Sequence, residues 1–366
     1  MPGACPAPQK GNAMTRHSPI TRRTFVSRGA ACVSGLAMPA ILPAILATPA
    51  RADTTGTNGT GSGLRFPHAY GETVLERPAS RIVSLGYATQ DTILALGLVP
   101  VGLRYWYGEY DSGVWPWAQP YLKGETPVVM RGESSAEVIA SLKPDLIFAI
   151  GSGMSQTEYL LLSRIAPVIL TPAGTSTYGT SWQAEVEILG RATGREVQAA
   201  ELIAGVEAKF AALRDRHPDW AGQTVAAAWH DGGQTGVFMG EDARSRVFAE
   251  LGFATPPGYA TLQEINGFYA TLSPEDLSPI DADLLVWISA EARAGDLVSM
   301  PMRLTLAAHR EGRELFAGDL LSGALSFGSV LSLPFALDRI EPEIVAALDG
   351  DPATPVPSAV AAGLAP

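Results

Sequence analysis

Short apolar runs of strand length alternate with stretches of helical period along most of this chain. Arg81-Ile82-Val83-Ser84-Leu85 is a buried-strand run, residues 88–96 carry a helical pattern stopped by Gly97, and residues 99–103 form the next apolar run. Residues 146–150 and 168–171 are further runs of the same kind. Strands alternating with helices predict an α/β lobe on a largely parallel sheet. Residues 196–217 then read as one long helix. Leu202, Val206, Phe210 and Leu213 recur at spacings of three and four, no proline interrupts them, and Pro218 ends the pattern. Beyond it the alternation restarts, with strands over 224–229, 284–288 and 315–317 and helices over 245–251 and 337–348.

One internal correspondence relates the two halves. Ser134-Ser135-Ala136-Glu137 reads as a helix opening, and Asp145-Leu146-Ile147-Phe148-Ala149-Ile150 begins eight residues after Glu137. Ser273-Pro274-Glu275-Asp276 reads as another, and Asp283-Leu284-Leu285-Val286-Trp287-Ile288 begins eight residues after Glu275. The expected architecture is an N-terminal lobe over 64–194, a linker helix over 195–218 and a C-terminal lobe over 219–350, with a cleft between the lobes and a tail over 351–366. In open α/β sheets a ligand sits beyond the carboxyl ends of the strands. Those ends are Gly86-Tyr87, Arg104-Tyr105-Trp106-Tyr107, Gly151-Ser152-Gly153, His230-Asp231-Gly232-Gly233 and Ser289 onward.

With 366 residues, 46% of them apolar and 17% charged, the chain has material for two packed cores. The first 52 residues read differently, as an export signal. Thr21-Arg22-Arg23-Thr24-Phe25-Val26-Ser27 has the twin-arginine pattern, an uncharged stretch runs from 29 to 50, and Ala50-Arg51-Ala52 is a small-x-small cleavage site near Ala52. Pro39, Pro43 and Pro49 make that stretch a poor membrane span. Met14 is an alternative start to Met1, and Cys32 an alternative lipid-attachment point. A Thr/Gly-rich leader follows over 53–63. Cys5 and Cys32 are the only cysteines, so the exported chain has no disulfide, thiolate metal site or cysteine nucleophile. The signal carries six basic residues and no acidic ones, which takes the formal charge from −11 for the whole chain to −17 without it. Such a chain should bind neither nucleic acid nor anionic lipid non-specifically.

Chemistry at the strand ends is aromatic and cationic. Arg104, Tyr105, Trp106 and Tyr107 are contiguous, with Trp115 and Trp117 close behind. Tyr87, Ser152, Tyr159, Tyr178 and Trp182 join them as candidate ligand contacts in the first half, and Trp229, His230, Arg293 and Arg303 in the second. A packed loop of core-capping aromatics is the bland alternative. His68, His217, His230 and His309 show no i, i+4 pair and no HExxH, which argues against a histidine-built metal site. There is no GxSxG, Walker loop or complete GxGxxG, and Ser152 between Gly151 and Gly153 is a weak imitation of a nucleophile turn, so no enzyme is expected. An exported α/β hydrolase and a sensor or adhesion module stand as the other classes.

Five stretches carry a resemblance. They are Arg81-Ile82-Val83-Ser84-Leu85-Gly86; Ala95-Leu96-Gly97-Leu98-Val99-Pro100-Val101-Gly102; Leu142-Lys143-Pro144-Asp145-Leu146-Ile147; Leu162-Ser163-Arg164-Ile165-Ala166-Pro167; and Leu331-Ser332-Leu333-Pro334. In order and spacing over about residues 66–350 the chain resembles the iron-siderophore group of ABC-importer binding proteins, the helical-backbone class that includes cobalamin binders. The resemblance implies two Rossmann-like lobes joined by a rigid helix, a monomeric periplasmic receptor, no catalysis, no resident cofactor, and a ferric siderophore as ligand, with cobalamin or haem as alternatives. Aromatic walls and an arginine fork suit a bulky iron chelate. It also implies that one exposed glutamate per lobe, Glu137 and Glu275, docks with the membrane permease. Helix capping is the alternative role for both.

Overall fold

The computed structural model describes residues 63–366. The expected export signal, its cleavage site, Cys32 and nearly all of the leader lie outside the described residues. The first described element is a hairpin of β1 (Leu64–His68) and β2 (Gly71–Leu75), whose alternating positions turn Phe66, His68, Thr73 and Leu75 inward.

The first large sheet holds β3 (Ile82–Ser84), β4 (Gly102–Arg104), β5 (Val128–Met130), β6 (Leu146–Ala149) and β7 (Val168–Leu170). Its order is β5-β4-β3-β6-β7 and every pair is parallel. Crossovers cover both faces, so central strands bury successive residues instead of alternate ones. Every residue of β3 and of β6 is buried, which is why both read as unbroken apolar runs.

The second sheet holds β8 (Val225–Asp231), β9 (Gln234–Phe238), β10 (Tyr269–Leu272), β11 (Leu284–Trp287) and β12 (Glu314–Phe316), in the order β10-β9-β8-β11-β12. Strands β8, β11 and β12 are parallel, but β9 runs antiparallel to β8 and β10. The sequence pattern did not foresee this hairpin. Gly232 and Gly233, expected as a strand-end loop, form its two-residue turn with φ of 56° and 78°. Positive φ at both central residues is what a tight hairpin turn of this kind demands, and glycine supplies it without strain.

Between the sheets runs the helix Glu196–Arg216, 21 residues and so about 31 Å long. It buries Ala199, Val206, Phe210 and Leu213, three of them members of the predicted stripe, while Leu202 packs half-buried beside them. The helices Trp182–Thr193 and Ser332–Ala347 pack against it, one from each side of the chain's midpoint. The molecule is therefore a two-lobed α/β fold on a helical spine.

Two expectations need correction. Ser273–Asp276 is a turn closed by the Asp276 N–H to the Ser273 carbonyl at 3.1 Å, not a helix, because Pro274 and the short span to β11 leave room only for the single turn Ser278–Ile280. Residues 351–366 are not a loose tail. They include the helix Pro357–Ala362, the Ser358 hydroxyl accepts the Phe316 N–H at 3.1 Å, and Leu364 is fully buried.

Candidate functional site

In the first sheet the strand order reverses beside β3, where β4 and β6 lie on opposite sides. The chain leaving β3 carries Tyr87, and the chain leaving β6 carries Ser152. A crevice at such a switch point is where doubly wound sheets bind ligands. Arg104 at the end of β4 bridges it. Its Nη1 donates to the Ser152 carbonyl at 2.9 Å, its Nη2 donates to the Tyr87 hydroxyl at 2.9 Å, and the guanidinium lies 4.4 Å from the Tyr87 ring centroid. These contacts fix the plane of the fork and leave further N–H donors for a ligand. Among the described residues no carboxylate pairs with it.

Rings extend this group. Trp106 lies 5.1 Å from Tyr87 and 5.4 Å from Phe327, and Tyr107 meets Trp106 edge-on at 4.6 Å. Tyr178, 43% exposed, sits 6.4 Å from Tyr87 and 5.5 Å from Phe268 of the other lobe. Burial, with Tyr87 adding to it, raises the Tyr178 phenol pKa, and Arg104 opposes the shift. Phe268 touches Tyr269, which lies 6.4 Å from Trp229. A run of aromatic faces thus crosses from one lobe to the other.

The facing wall comes from the carboxyl ends of β8 and β11, the switch point of the second sheet. Arg293 pairs with Asp231 at 2.7 Å and with Asp296 at 3.5 Å. His230 is buried, with Nδ1 2.9 Å from the Thr235 hydroxyl, and burial lowers its pKa. Its backbone N–H donates to the Ser289 hydroxyl at 3.1 Å, which ties the two strand ends together.

The structure thus gathers Tyr87, Arg104, Trp106, Ser152 and Tyr178 on one side, and Trp229, His230 and Arg293 on the other. It removes several candidates. Trp115 and Trp117 are 3% and 8% exposed and stack at 5.0 Å. Gly323 leaves the slot that the Trp115 ring fills, since any Cβ there would collide with it, and Trp117 is held by its indole N–H on Asp91 at 2.7 Å. Arg303 is 1% exposed and is held by Glu314 and the Leu364 carbonyl, so it belongs to the core. Tyr159 packs at 5.0 Å from His68 and 5.7 Å from Tyr70, under the β1–β2 hairpin. Trp182 donates to Glu250 across the lobes at 3.2 Å. Tyr105 bonds the Gly108 carbonyl and is covered by Arg131 at 4.0 Å. The sequence reading missed Phe268 and Tyr269. Their signal was an aromatic pair straight after Gly267 at the mouth of a strand.

The docking candidates are both exposed. Glu137 sits in the first turn of the helix Ala136–Ser141, whose N-cap is Ser135. The Ser135 hydroxyl donates to Glu137 at 2.7 Å, and this bond lowers the carboxyl pKa. Glu275 lies in the turn described above, its N–H on the Ser273 hydroxyl at 3.3 Å.

Among the described residues no three potential metal ligands of the His, Cys, Asp and Glu types come together, and no helix is long and apolar enough to cross a membrane. Two α/β lobes on a stiff helix carry polar and aromatic groups at the carboxyl ends of their sheets. A family model described as periplasmic binding protein matches residues 82–313, and the chain belongs to that family. It is similar to YfiY of Bacillus subtilis, a probable siderophore-binding lipoprotein, at 27% identity over 58% of this chain and 64% of that one. It is also similar to FecB of Escherichia coli, an Fe(3+) dicitrate-binding periplasmic protein, at 29% identity over 54% and 66%. The match spans just under two thirds of either relative. Among solved structures, a periplasmic solute binding protein from Mycobacterium smegmatis is 31% identical, with a TM-score of 0.70, over 78% of this chain and 99% of that one.

Proposed function

We propose that the protein is the exported solute-binding component of an ABC importer and that it captures a ferric siderophore in the interlobe cleft. The carrying observation is Arg104, held flat between the Ser152 carbonyl and the Tyr87 ring at the switch point of the first sheet. Relatives named for siderophore and ferric dicitrate binding support the ligand class. The protein acts as a monomeric receptor and not as an enzyme. The Ser152 hydroxyl accepts the Met154 N–H at 3.2 Å and so serves its own turn. Export follows the twin-arginine route set by Arg22 and Arg23, with cleavage near Ala52.

The test is titration with ferric chelates, read by tryptophan fluorescence, with Trp106 inside the ring cluster as reporter. A Kd of about 1 μM or tighter, roughly 8 kcal/mol, is expected for at least one chelate. Replacing Arg104 by alanine should weaken that binding by about 1.5–3 kcal/mol, the usual worth of a hydrogen bond to a charged group. Lysine should not restore it, because a point charge cannot keep both existing contacts and still present a planar fork. Unchanged affinity in Arg104→Ala would take the arginine out of the site. No saturable response to any ferric chelate, beside tight uptake of cobalamin or haem, would overturn the ligand class.

Glu137 and Glu275 are proposed as permease contacts, one per lobe. The Ser135 hydroxyl accepts the Val138 N–H and donates to one oxygen of the Glu137 carboxylate, which stays exposed and keeps acceptor capacity for a partner. The Glu137→Ala/Glu275→Ala protein should bind its chelate and melt much as the parent does, yet stimulate the importer's ATPase in vesicles far less, and less than either single variant. Full stimulation by the double variant would leave both residues with a local role alone.

A further inference from the structure

Building on the reading of the cleft as a ferric-chelate site, we propose that it selects chelates of low net charge, the ferric tris-hydroxamate class, against strongly anionic tris-catecholates. The ground is the inventory of charge around the cleft. On the first lobe the segments leaving β4 and β5 carry three carboxylates, Glu109, Asp111 and Glu133, against the guanidiniums of Arg104 and of Arg131, which lies 4.0 Å over the Tyr105 ring, and the partners of Arg104, a carbonyl and a phenol, are neutral. On the second lobe the carboxyl ends of the three parallel strands carry Asp231 as the last residue of β8, Glu291 and Asp296 after β11, and Asp319 after β12. Arg293 is the cation among them, and Asp231 and Asp296 already hold it. Glu291 and Asp319 are exposed and adjacent, the Glu291 N–H donating to the Asp319 carboxylate at 3.1 Å.

The chemistry of the two ligand classes then decides. Three singly charged hydroxamates neutralise ferric iron, and the complex presents oxygens that accept from the spare N–H groups of Arg104 while its organic arms lie on aromatic faces. Three doubly charged catecholates leave a triple negative charge. Set against two guanidiniums on one lobe and a larger number of carboxylates over both, that charge is left uncompensated. Like charges set face to face exclude the wrong partner more strongly than good contacts favour the right one. The formal charge of −17 on the chain without its signal adds repulsion at long range.

The experiment compares ferrichrome, a neutral tris-hydroxamate, with ferric enterobactin, a tris-catecholate, on the purified protein at one ionic strength. Ferrichrome is expected to bind about tenfold tighter or better. The Asp231→Asn/Asp296→Asn variant frees Arg293 and removes two carboxylates, so its affinity for ferric enterobactin should rise about tenfold, and the gain should shrink in high salt. Equal or tighter binding of ferric enterobactin by the parent protein, or no gain in the variant, overturns the proposal while leaving the ferric-chelate reading intact. Failure of both chelates to bind overturns the selection proposal, and the ferric-chelate reading falls with it only if no other ferric chelate gives a saturable response.

Discussion

Replacing Glu314 by alanine should lower the unfolding free energy by about 3–5 kcal/mol, the cost of stranding one member of a buried ion pair. Glu314 is 2% exposed, and every polar group around it depends on it. The Trp287 indole N–H donates to Oε1 at 2.8 Å, His309 Nδ1 lies 2.8 Å from Oε2, and Arg303 Nε is 3.4 Å from Oε1. Burial already pushes the Arg303 pKa below its ordinary value, and Glu314 is what opposes it. Alanine would leave a guanidinium in the core with the Leu364 carbonyl at 2.9 Å as its remaining hydrogen-bond partner, and would leave the Trp287 N–H without an acceptor. The closing segment should loosen with it, since Arg303 anchors Leu364. Glu314→Gln keeps an acceptor for Trp287 but not the charge, and should fall between the parent and alanine. Urea unfolding of the three proteins measures this. A loss of less than about 1 kcal/mol in the alanine variant would show that the cluster relaxes or admits water at little cost.

The features that one residue type dictates locally were legible in the sequence, and those that depend on a distant partner were not. Strand β6 announces itself because all four of its residues are buried, and a parallel strand covered on both faces has no polar alternation to hide it. The spine helix is legible for the opposite reason, since only Ala199, Val206, Phe210 and Leu213 turn inward and the stripe shows against a polar background. Arg104 was proposed because strand ends carry ligands in sheets of this kind, and the structure does place it at the end of β4 beside the switch point. The same argument misplaced Trp115 and Trp117. Aromatic density marks a loop, but the burial of Trp115 depends on the space left by Gly323, some two hundred residues away, and that of Trp117 on Asp91. Arg303 failed alike, because a charged residue is read as surface until its carboxylate is seen. The β8–β9 hairpin had a readable sign in Gly232-Gly233, which was taken for a loop although two glycines between β-rich runs are turn chemistry.

Asp91 shows how far such distant pairing reaches, and it carries the last prediction. Thr89, Gln90, Asp91 and Thr92 open a crossover helix and are all 0–1% exposed, although nothing in their sequence marks them as interior. The Asp91 Oδ2 accepts the Trp117 indole N–H at 2.7 Å and, from the other lobe, the Ser329 hydroxyl at 2.6 Å. Its Oδ1 has no hydrogen-bond partner. Burial dominates these bonds and pushes the carboxyl pKa up to about 6. Glu185, bonded to the Thr92 hydroxyl at 2.5 Å, is pushed up to about 7 by burial, with Asp91 adding to the shift. A carboxyl whose folded pKa is raised holds its proton longer in the native state than in the unfolded chain. Its stabilising share is complete below the unfolded value near 4 and drains away as pH rises through about 6. Asparagine cannot ionise, and its amide oxygen has lone pairs enough for both Trp117 and Ser329. Asp91→Asn should therefore match the parent near pH 4 and exceed it at pH 8 by roughly 2–3 kcal/mol, two pKa units of linkage. Other carboxyls, such as Asp283 and Glu341, are shifted downward and slope the other way, so the difference between variant and parent is the quantity to follow. Urea midpoints across pH 4–8 supply it. Parallel curves for the two proteins would mean that Asp91 titrates like an exposed carboxylate and that the contact with Ser329 is wetter than its geometry shows.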